Sequence, residues 1–218
     1  MKKLLLSLVF LFSMSFIFAQ DADEAAKLAI NTMKENCLVV RLESHHRKIS
    51  ELTRLASKGD LSDKTRAALS EKLKSMKLER DAKNLLWMQY FNQHFNFSKV
   101  LFTYDTTSVE LLKTQSGKNS FLNDSLKIEP SIRLESGNFT AARFGTTDTQ
   151  EGTGVDALIF QNSSFEDLQK PFPYYVKLTY LGYYFNKLLA KDLAEPRNTE
   201  RVVKKANEKL REFYKKVN

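Results

Sequence analysis

Cysteine is almost absent from this chain: its 218 residues include one, Cys37, in the apolar segment NCLVV. A single thiol cannot close an intrachain disulfide, and there is no Cys-x-x-Cys pair for thiol–disulfide exchange. Free cysteine is among the most frequently buried residue types. We therefore expect an inert core cysteine, with intermolecular pairing and a reactive thiol as the alternatives.

Glycine and histidine are also scarce, with seven and three residues. The chain has no GxSxG elbow, no phosphate loop and no GxGxxG, and Gly152 and Gly154 alone carry little information. Adjacent residues on a helix point about 100° apart, so His45 and His46 cannot ligate one metal as an i, i+4 pair does. No HExxH accompanies His94. The sequence predicts no metal, no cofactor and no catalytic residue, and a non-enzymatic role is favoured.

Carboxylates surround glycines in one polar loop, at Asp148, Glu151 and Asp156. A Ca²⁺ loop of the EF-hand type requires ligands at alternating positions, and this loop lacks that spacing. We expect a solvated loop.

Long apolar runs are absent except at the N-terminus. Lys2 and Lys3 precede an apolar stretch from Leu4 to Phe18, which ends at Ala19 before a polar, acidic segment. This pattern is typical of a cleavable signal peptide over residues 1–19. A spanning helix requires about 20 apolar residues, so an uncleaved anchor is the weaker alternative. We expect an exported chain of residues 20–218, periplasmic or secreted, without a later transmembrane segment.

The chain is basic, with 34 lysines and arginines against 26 aspartates and glutamates. Removal of Lys2 and Lys3 lowers the formal charge from +8 to +6. Basic and acidic residues are interleaved, as in SEKLKSMKLERDAK, which is typical of a solvated helix face. Export argues against a nucleic-acid partner. Attraction to an acidic envelope polymer or a membrane surface stays open.

The order of elements predicts one mixed domain over residues 20–218. Helices are expected at 21–35 and from Ser44 to a turn at 58–60, and then from a cap at Ser62 or Asp63 to about Phe95. Strands are expected at 38–42 and 99–104, although one helix over 22–57 is an alternative. A short helix over 108–113, strands at 139–144 and 157–161, and an extended segment to Lys177 follow.

The C-terminal part is predicted to be helical. One helix is expected over 178–193, followed by a break at Glu195 and Pro196. Asn198 or Thr199 then caps a last helix with an apolar stripe of Val203, Ala206, Leu210 and Phe213. The fold class is α/β or α+β, with about five short strands, a long helical hairpin and C-terminal helices.

Two aromatic clusters stand out. The first recurs at helical spacing around Trp87 and Phe91, as core residues do. The second is rich in tyrosine, whose hydroxyl tolerates a half-wet surface. It is therefore our candidate surface for a protein or glycan ligand, formed by Tyr174, Tyr175, Tyr180, Tyr183 and Tyr184.

Four blocks in residues 38–177, LVVRLES, FNFSKVLFTY, GVDALIF and PFPYYVK, are similar to those of an uncharacterised exported family of the Bacteroidota. The signal peptide ending in Ala-Gln also resembles those of exported proteins from that group. The resemblance implies no activity. It implies O-linked glycosylation at Asp-Ser/Thr-aliphatic-or-Thr patterns, which here designate Thr106 and Ser125.

Three functional hypotheses follow from the sequence. The first is an exported, non-enzymatic protein that binds a partner or an envelope component. The second is a degenerate thioredoxin-like scaffold without redox cysteines. The third is a hydrolase that uses dispersed carboxylates, which requires two carboxyl groups about 5–10 Å apart in one cleft.

Overall fold

A computed structural model of the chain describes residues 22–114, 117–147, 154–179, 183 and 191–218. Five helices and five strands lie in these ranges. In chain order they are α1 (residues 22–35), β1 (Cys37–Leu42), α2 (His46–Ala56), α3 (Asp63–His94), β2 (Lys99–Tyr104), α4 (Val109–Thr114), β3 (Thr140–Thr146), β4 (Asp156–Gln161), β5 (Tyr175–Lys177) and α5 (Lys191–Val217).

The strands form one mixed sheet in the order β2-β1-β3-β4-β5. β1 is central and pairs in parallel with β2 on one side and β3 on the other. β4 is antiparallel to β3, and β5 is antiparallel to β4. The parallel pair β1–β2 is connected through α2 and α3, as a parallel connection requires.

The main core lies between one face of the sheet and three helices. Leu38, Val40 and Leu42 alternate along β1 and point to this face. Apolar residues of α1, of the second half of α3 and of α5 complete the cluster. Its helical members are Ala26, Ile30, Met33, Trp87, Met88, Phe91, Val202, Val203, Ala206 and Leu210.

A second, smaller cluster covers the opposite face. Cys37 and Val39 of β1 contribute to it, with residues of β2, β3 and α4 and of the segment between α4 and β3. The next residue of β1 in the alternation is Arg41, which is half-buried. The second face therefore changes from apolar to polar toward the carboxyl end of β1.

The predicted fold class is confirmed: the sheet is mixed, and a long helical hairpin separates its first two strands. Cys37–Leu42 is a strand, which excludes the continuous helix over 22–57. Ser62 caps α3, since its hydroxyl accepts from the Thr65 amide at 3.2 Å. Lys170–Pro171 is a cis peptide, and the extended segment after it includes β5.

The predicted break at Glu195 and Pro196 is wrong, because α5 continues through Pro196. An interior proline costs about 3 kcal/mol. Burial of Val202, Val203 and Leu210 on the core contributes about 1.5–3 kcal/mol each and outweighs that cost. Asn198 and Thr199 are buried within the helix and do not cap it. Most of the helix predicted over 178–193 lies outside the described residues.

Candidate functional site

The carboxyl ends of β1, β2 and β3 meet at one edge of the sheet. The chain leaves β1 toward β2 on one side and returns on the other side with β3. In open α/β sheets, the edge where the strand order reverses in this way is the usual place for a ligand. The segments after Leu42 and Tyr104 are polar, and they line this edge.

An open pocket of about 490 Å³ lies beside that point, at the ends of β1 and β2. It is formed by the loop after β1, the first turn of α2 and the turn after β2. The first turn of α2 contains no acidic residue, and one carboxylate, that of Asp105, belongs to the lining. The strand-end pocket is lined by Ser44, His45, His46, Arg47, Lys48, Asp105 and Thr106.

The loop between β1 and α2 is fixed by several polar contacts. The Ser44 amide donates to Oδ1 of Asp105 at 3.1 Å, which joins the two walls of the pocket. His45 adopts the left-handed backbone conformation, with φ 52° and ψ 26°. Non-glycine residues in that region are uncommon and occur most often where the surrounding structure imposes them.

α3 holds the same loop from behind. Buried Asn84 donates through its side-chain amide to the Glu43 carbonyl at 2.9 Å, and Arg80 donates to the Ser44 carbonyl at 3.1 Å. Lys83 forms an ion pair of 2.9 Å with the Glu43 carboxylate. Burial raises the pKa of Glu43, but Lys83 and His45 together hold it below its ordinary value. The loop is thus anchored to the helix that packs on the core.

A network of polar side chains lies behind the pocket on the second face of the sheet. Arg41 and Arg143 are register partners on β1 and β3. Arg143 forms a two-bond ion pair with Asp167, with Nε at 3.0 Å from Oδ1. Gln161 donates to the same Oδ1 at 2.8 Å and accepts from Arg41 at 3.3 Å. Arg143 therefore contacts the Asp167 carboxylate directly, whereas Arg41 is connected to it through Gln161.

Arg41 connects this network to the pocket. Its Nη2 donates to the Asp105 carbonyl at 2.7 Å, and its guanidinium carbon lies 3.9 Å from the ring centroid of Phe165. Its Nε is buried without a hydrogen-bond partner. Burial lowers the pKa of Arg41, Asp105 opposes that effect, and Arg143 adds to it. A desolvated cation beside the pocket favours a negative group there.

The structure describes three of the five tyrosines predicted to bind a ligand. Tyr174 and Tyr175 are half-buried with ring centroids 4.8 Å apart, and Nζ of Lys209 lies 5.5 Å from the Tyr175 ring. Tyr183 is buried, and its hydroxyl donates to Glu195. Tyr180 and Tyr184 lie outside the described residues. None of the three described tyrosines lines the strand-end pocket, and the binding role of all five stays a prediction.

Both predicted modification sites are exposed and lie in turns. Thr106 belongs to the pocket lining. Ser125 lies two residues after Asn123, whose side chain accepts from the Ser125 amide at 3.0 Å.

The predicted inert cysteine, Cys37, is buried, and burial raises its pKa to about 11, as an inert thiol requires. Asp148 and Glu151 lie outside the described residues. Among the described residues, no cluster of histidine, cysteine and carboxylate groups could hold a metal.

Sequence reasoning missed the residues that form the pocket and the network behind it. One signal was available: Arg41 interrupts the apolar strand LVVRL, and a charged residue on a buried strand requires partners. Its partners Gln161 and Asp105 follow it by 120 and 64 residues. The sequence contains no information on that pairing.

Comparison of the chain with protein-family models, with curated proteins and with solved structures finds no match. The site has to be judged on its own geometry. Within the described ranges, no helix is long and apolar enough to cross a membrane.

Proposed function

We propose that the chain is an exported binding protein, and that its strand-end pocket takes a small ligand with an anionic group such as a carboxylate, phosphate or sulfate. The observation that carries the proposal is the pocket itself, which lies between the segments that follow the carboxyl ends of β1 and β2. Export is inferred from the signal-peptide pattern of residues 1–19, which lie outside the described part of the chain.

Three features of the pocket support an anionic ligand. The first turn of α2, residues 46–48, belongs to the pocket lining, and helix N-termini attract negative charge. Arg47 and Lys48 are exposed at that turn and belong to no ion pair among the described residues. Arg41 adds a desolvated positive charge behind Asp105. The pocket is thus rich in hydrogen-bond donors and poor in acceptors, which suits an anionic ligand.

The two alternatives have less support. A carboxylate-dependent hydrolase requires two facing carboxyl groups, whereas the pocket lining contains Asp105 alone. A degenerate thioredoxin-like scaffold requires an antiparallel strand beside the first strand of the core, whereas β3 is parallel to β1. Binding without catalysis therefore stays our first proposal.

Calorimetric titration tests the proposal. The chain of residues 20–218 is titrated with inorganic phosphate, sulfate and D-glucuronate in turn, at low ionic strength. We expect at least one of these anions to bind, and the double variant Arg47→Gln/Lys48→Gln to bind it about tenfold more weakly, since each lost charge contributes on the order of 0.5–1 kcal/mol.

The matched control removes the same charge elsewhere. Lys205 and Lys216 are exposed residues of α5 without an ion pair among the described residues, so the variant Lys205→Gln/Lys216→Gln should retain the affinity. Equal weakening in both variants would show attraction by net charge alone. Failure of all three anions to bind would contradict the proposed pocket.

Glycosylation at Thr106 and Ser125 also stays a proposal, which rests on the sequence pattern and on the exposure of both residues. Mass spectrometry of the protein from its natural source tests it. A glycan on Thr106 would occupy the strand-end pocket, so full occupancy at that residue would contradict a ligand site there. Occupancy at Ser125 alone is compatible with both proposals.

A further inference from the structure

A helical arm, which we define as residues 46–83, extends from the carboxyl edge of the sheet. It includes α2, the turn after it and the first two thirds of α3, and the structure describes all of it. None of its residues is buried. The second part of α3, by contrast, buries Asn84, Trp87, Met88 and Phe91. The arm is therefore a two-helix projection, and the core holds it through one end of α3.

An apolar seam runs along the arm and is only partly covered. α2 packs against α3, but a pair of helices encloses a seam on two sides only. Its apolar side chains stay half-exposed at helical spacing on both helices. They are Ile49, Leu52, Leu55, Leu69, Leu73 and Met76.

The arm also accounts for most of the net positive charge of residues 20–218. Eleven lysines and arginines stand against six aspartates and glutamates, which gives a net formal charge of +5. Residues 20–218 together have +6, so the rest of that chain is almost neutral. Seven of the arm's cations form no ion pair among the described residues: Arg47, Lys48, Lys58, Lys64, Lys72, Lys74 and Lys77.

These cations lie beside the seam as well as away from it. At 100° per residue, Lys72 lies on one flank of the stripe formed by Leu69, Leu73 and Met76, and Lys74 and Lys77 lie on the other. Basic side chains beside an apolar stripe are typical of helices that rest on a membrane surface, where the ammonium groups contact headgroups and the stems cover apolar area.

α5 is the other basic element, with nine cations against five anions. Its apolar stripe, however, is buried on the core through Val202, Val203, Ala206 and Leu210. A net positive charge is thus common to both elements, but among the two only the arm combines it with an apolar seam that stays half-exposed. This combination distinguishes a lipid surface from an acidic protein as the partner.

We propose that the arm docks on an anionic lipid surface. The arm shares residues 46–48 with the lining of the strand-end pocket, but Lys72, Lys74 and Lys77, which the test below removes, do not line that pocket. The proposal is tested by co-sedimentation of the chain of residues 20–218 with vesicles of phosphatidylcholine alone and of phosphatidylcholine with phosphatidylglycerol. Binding is expected to the anionic vesicles only, and added salt should weaken it, because exposed charges are screened within about 10 Å at 0.1 M salt.

Two triple variants locate the surface. Lys72→Gln/Lys74→Gln/Lys77→Gln removes three exposed cations of the arm and should weaken vesicle binding on the order of 100-fold. Lys205→Gln/Lys215→Gln/Lys216→Gln removes three exposed cations of α5 and should change it by less than about threefold. Circular dichroism confirms that both variants are folded; none of the six lysines is buried or ion-paired among the described residues.

The proposal is overturned by equal losses in the two variants, which would show attraction by total charge. It is also overturned if the chain does not bind anionic vesicles. Binding to polyglutamate without binding to vesicles would assign the arm to an acidic polymer and would contradict the lipid assignment.

Discussion

The guanidinium of Arg41 joins the strand-end pocket to the polar network behind it. It holds the Asp105 carbonyl on the pocket side and Gln161 on the network side. Phe165 covers one face of its plane, so a lysine could not replace it without loss of both stacking and fork geometry. The position of the turn after β2, and hence one wall of the pocket, depends on this side chain.

Asp167 is the carboxylate that both Arg143 and Gln161 contact. We expect Asp167→Ala to lower the free energy of unfolding by about 2 kcal/mol, because it leaves the partly buried Arg143 guanidinium without its carboxylate and removes one of the two acceptors of the Gln161 amide. Urea denaturation measures the loss. Glu166→Ala removes an exposed neighbouring carboxylate and should change stability by less than about 0.5 kcal/mol. A loss for Asp167→Ala no larger than that for Glu166→Ala would show that the network contributes no stability.

Cys37 makes stability depend on pH at the alkaline end. Its pKa is raised from 9.0 to about 11 by burial, so the folded chain keeps a proton that the unfolded chain releases. The contribution of this thiol to the free energy of unfolding is therefore fully present below pH 9.0. It falls by roughly 2–3 kcal/mol as the pH rises toward 11. Urea denaturation at pH 8 and pH 10.5 should show a steeper loss for the wild type than for Cys37→Ala. An equal loss of unfolding free energy between the two pH values in wild type and Cys37→Ala would contradict a buried, inert thiol.

At the scale of elements, α3 serves two regions of the molecule. Its second part packs on the core and anchors the loop after β1 through Asn84, and Lys83 at the end of the arm adds an ion pair with Glu43. This helix therefore couples the stability of the core to the shape of the pocket. The free part of α3 belongs to the arm.

The variant Asn84→Leu tests that coupling. It fills a similar volume but leaves the Glu43 carbonyl without its donor, which costs about 1–3 kcal/mol. We expect lower stability in urea and weaker anion binding at the strand-end pocket. The control Asn92→Leu, at an exposed position of the same helix, should alter neither. Intact anion affinity in Asn84→Leu would show that the pocket does not need this anchor.

The local elements could be predicted because their signals are local. Ser62 is an N-cap, and the stripe from Val203 to Leu210 repeats at helical spacing, so both helices follow from a few neighbouring residues. The predicted helix break at Pro196 is wrong for the converse reason. Its cost is local, but the burial that offsets it comes from the packing of α5 on a sheet formed elsewhere in the chain.

At the scale of the whole molecule, the pocket could not be predicted because it depends on strand order. The segment SHHRK follows β1 and the segment DTT follows β2, more than 50 residues later. They meet only because β1 and β2 are parallel neighbours. Periodicity identifies strands but does not say which of them pair.

The proposed export is also argued at the scale of the whole chain. Expression with the native N-terminus in a secreting bacterial host should give a product that begins at Gln20, as N-terminal sequencing would show. Since residues 1–19 match the signal-peptide pattern, recovery of the exported protein with Met1 intact would replace cleavage by a membrane-tethered form.

The most direct test of the central claim is a ¹⁵N–¹H NMR titration of residues 20–218 with the anion that binds most tightly in calorimetry. If the strand-end pocket is the site, the largest amide shifts will fall on residues 43–48 and 105–107, and they will saturate with the calorimetric affinity. Shifts concentrated instead on the tyrosines at 174 and 175, or spread evenly over the basic helices, would contradict it.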